Sequence, residues 1–192
     1  PSSDRPLEYL EFERREPNSH DVEFEVQFCG VCYSDLHTAH GDWGEINYPC
    51  VPGHEIVGIV TRAGAEVKQF KKGDRVGVGC MVNSCGECKA CKQGLENSCY
   101  SEPTWTYSSK DPIDGSDTKG GYSTIMVAPE HFVLPIPESL DMAHAAPLLC
   151  AGITTYSPLR NWKVGPGMKV GVIGLGGLGH MGVKYAKAMG AD

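Results

Sequence analysis

Hydrophobic and polar positions alternate most cleanly over Asp21–Cys29. Val22, Phe24, Val26 and Phe28 fall on one side, and Glu23, Glu25 and Gln27 on the other. A period of two predicts a strand with one buried face. Cys29 then lands on the polar side, where it reads as a small filler. Shorter apolar runs at Glu55–Thr61, Asp74–Gly79, Tyr122–Val127 and His131–Ile136 predict four more strands. Turn residues punctuate them: Pro52-Gly53, Gly64, Lys72-Gly73-Asp74, Gly120-Gly121 and Pro135. Short strands between such turns predict an all-β, barrel-like domain to about residue 149.

The pattern then changes. Cys150–Arg160 lacks alternation and predicts a short helix, limited by Pro158. Lys169–Ile173 predicts a compact buried strand, and Gly174–Gly179 a glycine-rich turn. Leu178, Met181, Tyr185 and Met189 then recur at helical spacing, with Gly190 as a C-cap. A second strand is expected to begin near Asp192. The expected division is therefore residues 1–149, a β-domain, and 150–192, the opening of an α/β domain.

Bulk properties narrow the chemistry. The chain has 192 residues, a formal charge of −7 and 41% hydrophobic residues, ordinary for a globular protein. Its acidic balance argues against a nucleic-acid partner, which needs clustered Lys and Arg. Lys68, Lys71 and Lys72 read as a solvated loop. No apolar run approaches the roughly 20 residues needed to span a bilayer, and no signal peptide opens the chain. It opens on Pro1 rather than Met, so a missing N-terminus is expected. The 9 cysteines are odd in number, and four crowd into one loop. Metal binding in a reducing cytoplasm fits that usage better than a disulfide scaffold.

Cys85, Cys88, Cys91 and Cys99 form C-x2-C-x2-C-x7-C. Four thiolates complete a tetrahedral zinc shell and leave no position for substrate. Gly86 and Gly94 supply backbone freedom inside the loop. Ordinary thiols, two disulfides or an iron–sulfur cluster are the alternatives. The cluster is disfavoured because Tyr100, not Pro, follows the last cysteine.

A second constellation follows the first strand. Cys32 lies in Gly30-Val31-Cys32-Tyr33-Ser34-Asp35-Leu36-His37, and His54 in Gly53-His54-Glu55 at the head of another strand. A thiolate and an imidazole at strand ends can converge on one ion, and catalytic zinc takes three protein ligands with a fourth position open. Spacing does not name the third ligand, because Cys29, Cys50, Cys80 and Cys150 are all unassigned. Cys29 and Cys32 also form a C-x-x-C, a redox motif elsewhere, but no thioredoxin-like pattern surrounds it. His54 alone would read as a hydrogen-bonded structural histidine.

Gly174-Leu175-Gly176-Gly177-Leu178-Gly179 matches G-x-G-x-x-G between an expected strand and an expected helix. Such glycines let backbone approach a pyrophosphate at a helix N-terminus. A plain strand–helix turn is the alternative. The acidic residue expected about 20 positions on lies past Asp192, so these residues do not distinguish NAD from NADP.

Together these stretches resemble the zinc-containing medium-chain dehydrogenases, in particular their cinnamyl alcohol dehydrogenase-like branch. The closest wording is Tyr48-Pro49-Cys50-Val51-Pro52-Gly53-His54-Glu55, Trp105-Thr106-Tyr107, Gly120-Gly121-Tyr122-Ser123 and Ala146 through Thr154. The resemblance covers nearly the whole chain. It implies a mixed fold: a GroES-like β-barrel catalytic domain, then the first βα unit of a Rossmann-type domain. It implies that Cys150 is the third catalytic-zinc ligand, completing a Cys2His shell, and that Glu55 is a carboxylate able to visit the metal. Ser34 and His37 become the proton path, Trp43 and Trp105 pocket aromatics, though either also reads as core. Thr154 joins Gly174, Gly176, Gly177, Leu178 and Gly179 at the cofactor.

The resemblance further implies two zinc ions per chain, NADP(H) rather than NAD(H), a small alcohol or aldehyde substrate and a homodimeric complete enzyme. Family members run well past 300 residues, so the chain is expected to be a fragment, lacking the first β-strand and inactive alone. The expected reaction is hydride transfer between nicotinamide and a primary alcohol or aldehyde, in the direction of aldehyde reduction with NADPH. Two rivals remain: a zinc-free quinone reductase of the same fold, and a zinc-ribbon binding module without catalysis.

Overall fold

The structure, a computed structural model, describes residues 6–192. Its elements run β1 (Asp21–Cys29), α1 (Tyr33–His40), β2 (Ile56–Ala63), β3 (Arg75–Val78), β4 (Met81–Asn83), β5 (Thr104–Trp105), β6 (Ile125–Pro129), β7 (Leu134–Pro135), α2 (Met142–Ala145), α3 (Ala151–Asn161) and α4 (Gly177–Ala188). Five strands form one antiparallel sheet in the order β6-β1-β2-β3-β7, and β4 pairs with β5. All five strands expected of the β-domain are present, β1 with the expected bounds and the other four with shifted ends. Strand β6 starts later and runs on to Pro129, and β7 keeps only Leu134–Pro135, after a 3-10 turn at Glu130–Phe132.

One core cluster gathers Val22 and Phe24 from β1, Ile56 and Val60 from β2, Val76 and Val78 from β3, Val82 from β4 and Met126 from β6. Each such side chain contributes roughly 1.5–3 kcal/mol on full burial. A second cluster lies on the other face of β2, where Val57 meets Ile136, Ala145 and Ala146. Strand β2 is thus buried on both faces, which its continuous apolar run reflects.

The expected face of β1 holds only in its first half. Val26 pairs with Gly58 and Phe28 with Val57, leaving Gln27 as the extra residue of a β-bulge. A bulge swaps the faces beyond it. Phe28 is accordingly 48% exposed, and Cys29 packs on the core cluster instead of facing the polar side.

Helix α1 was not foreseen. Its eight residues are too few to show a period, and its buried positions are Asp35 and Thr38. Cys32 is its N-cap, and Gly41 closes it at φ 75°. Helix α3 forms as expected and runs through Pro158, whose missing N–H falls on the exposed side.

The expected strand at Lys169–Ile173 is absent, and Ile173 is fully exposed. A strand needs a ladder partner, and among the described residues only Asp192 reaches it: the Val170 N–H donates to the Asp192 carbonyl at 2.8 Å, and the Asp192 N–H to the Met168 carbonyl at 2.9 Å. That alternation is the pattern of a parallel bridge. Helix α4 packs on α3 through Tyr185, whose ring meets Tyr156 edge-on at 5.5 Å. Leu178, expected on that apolar face, is 40% exposed, while Gly182 and Ala186 are buried. Gly190 adopts φ 88° just past the helix end, as a C-terminal glycine should.

Candidate active site

Four buried side chains converge at one end of the main sheet. A Cys32 Sγ, a His54 ring nitrogen, a Glu55 carboxylate oxygen and the Cys150 Sγ all lie within 4.8 Å of one another. Cys32 is delivered by the turn from β1 into α1, and His54 and Glu55 by the approach to β2. Cys150 arrives from far along the chain. It follows Leu149, which packs on the second core cluster. That approach needs glycine just past β3, where a Cβ at Gly79 would lie 2.8 Å from the Leu149 carbonyl; on β3 itself one at Gly77 would press on Leu149 Cδ1 at 2.8 Å and the Ile56 carbonyl at 3.0 Å. Glu55 needs room too, since a Cβ at Gly30 would lie 1.9 Å from its Oε2.

Asp35 organises this set from behind. Its Oδ1 pairs with His54 Nδ1 at 2.9 Å and accepts the Gly53 N–H at 2.9 Å. Its Oδ2 accepts the Cys32 N–H at 3.0 Å and the Tyr122 hydroxyl at 2.8 Å. Burial pushes Asp35 upward, but these bonds, led by His54, outweigh it and hold the carboxyl at about 2. Burial likewise lowers His54, yet Asp35 and Cys150 carry it up to about 10. Burial raises Glu55, and the Cys80 side chain, then burial, raise Cys150. Two thiols and two carboxyls around one imidazole form a field that favours a cation. With Nδ1 engaged by Asp35, Nε2 is the nitrogen free to bind one.

The donor set opens into a cavity of about 500 Å³ lined by Ser34, Thr38, Trp43, Trp105, Tyr107 and Cys80, among others. Trp43 and Trp105 are 66% and 40% exposed, so neither is a core residue. Ser34 Oγ lies 3.5 Å from Cys32 Sγ. It sits inside α1 and is not its cap, while Asp35 serves as the third residue of a capping box. His37 stands one turn beyond Ser34, with Nδ1 2.8 Å from the Asp42 carboxylate and its ring 5.1 Å from Trp43.

The second donor set is Cys85, Cys88, Cys91 and Cys99. Cys91 Sγ lies 3.5 Å from Cys88 Sγ and 3.9 Å from Cys85 Sγ. Four sulfurs bound at about 2.3 Å around a tetrahedral zinc stand ~3.8 Å apart, whereas a disulfide needs about 2.05 Å. All nine cysteines are free. Gly86 at φ 68° and Gly94 at φ 71° make the reversals that wrap the loop. Backbone N–H groups of Cys91 and Tyr100 pull the Cys88 thiol down to about 6, toward the thiolate a metal needs.

At the glycine-rich turn, Gly174 adopts φ 85° and Gly176 caps α4. A Cβ at Gly179 would meet the Gly174 carbonyl at 1.8 Å, whereas Gly176 and Gly177 face open space. One glycine therefore closes the turn, and two leave backbone accessible to a ligand. Leu175 and Leu178 flank it, exposed. Thr154 is exposed on α3, one turn beyond Cys150.

Residues 18–138 match the alcohol dehydrogenase GroES-like domain family. The chain belongs to this family. It is 58% identical over 192 residues to NADP-dependent alcohol dehydrogenase C 1 of Mycolicibacterium smegmatis, covering 100% of this chain and 55% of that protein. It is 54% identical over 191 residues to the aldehyde reductase YahK of Escherichia coli, covering 99% of this chain and 54% of that one. The solved structure of CAD from Helicobacter pylori complexed with NADP(H) superposes with a TM-score of 0.97 at 47% identity, over 100% of this chain and 55% of that chain. The chain spans about half the length of the relatives it matches.

For an alcohol dehydrogenase-family chain, several site residues escaped sequence reasoning. Asp35 was given no role, although its place between Cys32 and His37 was a usable signal. Tyr107 and Tyr122 lay inside noted motifs without a role. The Tyr107 hydroxyl is 3.2 Å from His54 Nδ1. Cys80 lines the cavity, and Asp42 holds His37; neither has a sequence pattern that announces it. No helix among the described residues is long and apolar enough to cross a membrane.

Proposed function

We propose that this chain forms the catalytic domain and first cofactor-binding unit of a zinc-dependent oxidoreductase. The reaction is hydride transfer between nicotinamide and a primary alcohol or aldehyde, run as aldehyde reduction with NADPH. The observation that carries this reading is the mixed donor set of Cys32, His54, Glu55 and Cys150, of which His54 and Cys150 line a cavity that also presents Ser34. On this reading residues 1–149 are the catalytic domain and 150–192 open the dinucleotide domain. Cys32, His54 and Cys150 hold one zinc with Glu55 beside it, and Cys85, Cys88, Cys91 and Cys99 hold a second. The setting is a reducing cytoplasm and the complete enzyme a homodimer.

When bound, the zinc supplies Lewis acidity toward the substrate oxygen, and the cofactor supplies the hydride chemistry. The protein aligns and neutralises. Ser34 faces the cavity beside Cys32 and is placed to exchange a proton with the substrate oxygen, because a hydroxyl both accepts and donates. His37, partly exposed and held by Asp42, exchanges that proton with solvent. Trp43 and Trp105 exclude water from the reacting carbon. Gly176 and Gly177 offer backbone to the pyrophosphate, with Thr154 on the neighbouring helix. The zinc-ribbon reading accounts for the four-cysteine loop and leaves the Cys32, His54, Glu55 and Cys150 set without purpose.

The test is metal content and turnover of the full-length protein. Two zincs per chain and aldehyde reduction faster with NADPH than with NADH are expected. One zinc per chain would favour the binding module, and none the quinone reductase. Gly176→Val, which has space for its side chain, should raise the NADPH Kd about tenfold, ~1.4 kcal/mol, with both zincs retained. Unchanged NADPH binding would remove the turn from the cofactor site.

A further inference from the structure

We propose that Tyr122 is a positioning residue of this metal centre: its hydroxyl holds Asp35 against His54, so that the imidazole presents Nε2 to the ion. The inference rests on the metal reading above. Asp35 is 2% exposed, and a buried carboxylate needs its lone pairs filled. Three of its four partners belong to the ligand segments themselves, namely Cys32, Gly53 and His54. The fourth, the Tyr122 hydroxyl at 2.8 Å, comes from a separate strap. Tyr122 is not among the residues lining the cavity, so no contact with substrate accounts for it. Tyr107 does line the cavity, and it stands 3.2 Å from a His54 nitrogen that Asp35 already engages at 2.9 Å.

The strap is built to deliver that hydroxyl. The Gly120 N–H donates to the Val51 carbonyl at 2.6 Å, Gly121 to Gly53 at 2.8 Å and Tyr122 to Pro52 at 3.0 Å. A Cβ at Gly120 would lie 2.3 Å from the Gly53 carbonyl, and one at Gly121 2.4 Å from Ile56 Cγ1. Only glycine lets the strap lie this close to the segment that carries His54. On the far side, the Arg14 guanidinium donates to the Gly120 carbonyl at 2.8 Å, Ser123 Oγ at 2.8 Å and the Ile125 carbonyl at 2.9 Å. Held by the Val51–Gly53 backbone and by Arg14, the strap sets the Tyr122 hydroxyl on Asp35 Oδ2. Partners that orient a metal-bound histidine in this way typically change metal affinity or activity 10–100-fold when removed.

The experiment compares full-length wild type, Tyr122→Phe, Asp35→Asn and the double variant. The rate at which dipicolinate strips each zinc is followed, together with the absorption bands of the Co2+-substituted centre and the melting temperature. In Tyr122→Phe, one of the two zincs should leave about tenfold faster, the other at the wild-type rate, with shifted Co2+ bands. The double variant should lose zinc no faster than Asp35→Asn, because Tyr122 acts through Asp35. A Tyr122→Phe protein that melts lower but keeps both release rates and its Co2+ bands would reduce the residue to packing. Additive effects of the two substitutions would also overturn the proposal. If Asp35→Asn does not fold, the Tyr122→Phe comparison decides alone. A wild-type protein with no zinc at His54 would refute the metal reading itself, a result seen before any variant is made.

Discussion

The two donor sets solve one coordination problem from opposite directions. The four cysteines lie in a single loop, and the loop's own backbone supports them: the Cys88 N–H donates to Cys85 Sγ and the Cys91 N–H to Cys88 Sγ. All four of its donors are sulfur. The other set draws Cys32, His54, Glu55 and Cys150 from three distant segments. Its outer support comes from Asp35 and Tyr122, and it opens into a substrate-sized space. A closed all-thiolate shell suits an ion that staples a loop, and a mixed, cavity-facing shell suits one that meets a ligand. The first is cheap to assemble because its ends are already near. The second exists only once the sheet, α1 and the Leu149 segment have packed.

Paired substitutions give the strongest test of that contrast. Cys88→Ser should cost more than about 4 kcal/mol, the range reached on losing a structural metal, and so lower the melting temperature by at least roughly 8 °C. Cys150→Ser should show the reverse balance. Turnover should drop at least ~10³-fold from several kcal/mol of lost charge stabilisation, with a smaller fall in melting temperature. Calorimetry and steady-state kinetics on both proteins decide it, and equal stability losses would erase the distinction.

A narrower test asks whether the Ser34 hydroxyl beside Cys32 carries a proton. Ser34→Ala should lower turnover on the order of 10²–10⁴-fold with both zincs in place. His37→Ala should be milder, since water can replace an outer station, and should alter the pH profile of alcohol oxidation. A Ser34→Ala enzyme with near-normal turnover would show that the cavity-facing hydroxyl carries no proton.

The smallest effect concerns how the four-cysteine lobe is tied to the main sheet. Glu96, in that lobe, accepts from His131 Nε2 at 2.7 Å, and this bond holds its carboxyl below the usual range. A depressed carboxyl stabilises the fold above the ordinary glutamate range and loses that contribution as the pH falls through its folded value. Glu96→Gln should therefore cost a few tenths of a kcal/mol near neutrality, and the difference should vanish on acidification. A difference that instead grew at low pH would refute the sign of this coupling.

Much of this molecule was legible before folding was considered. The period of two in β1, the glycine and proline punctuation, the four-cysteine spacing and the strand–turn–helix setting of Gly174–Gly179 are local features. Backbone dihedrals and neighbouring ligands impose them within a few residues. Cys32 and His54 could be proposed from their places at strand ends. Cys150 could not, and entered only through resemblance, because nothing in a sequence records which distant cysteine a fold will return to the site.

Tertiary structure decided the rest, always by contact between remote segments. The bulge at Gln27 reversed Phe28 and Cys29, because register answers to the partner strand and not to the strand's own pattern. Lys169–Ile173 has only Asp192 alongside it among the described residues, and one residue makes a bridge and not a ladder. Asp35 became the organiser of the Cys32 and His54 donors once α1, the His54 segment and the Tyr122 strap met around it. Periodicity and spacing determine what a stretch of chain can be. Which face it buries, and which far residue completes its hydrogen bonds or its metal shell, is fixed only when the whole domain packs.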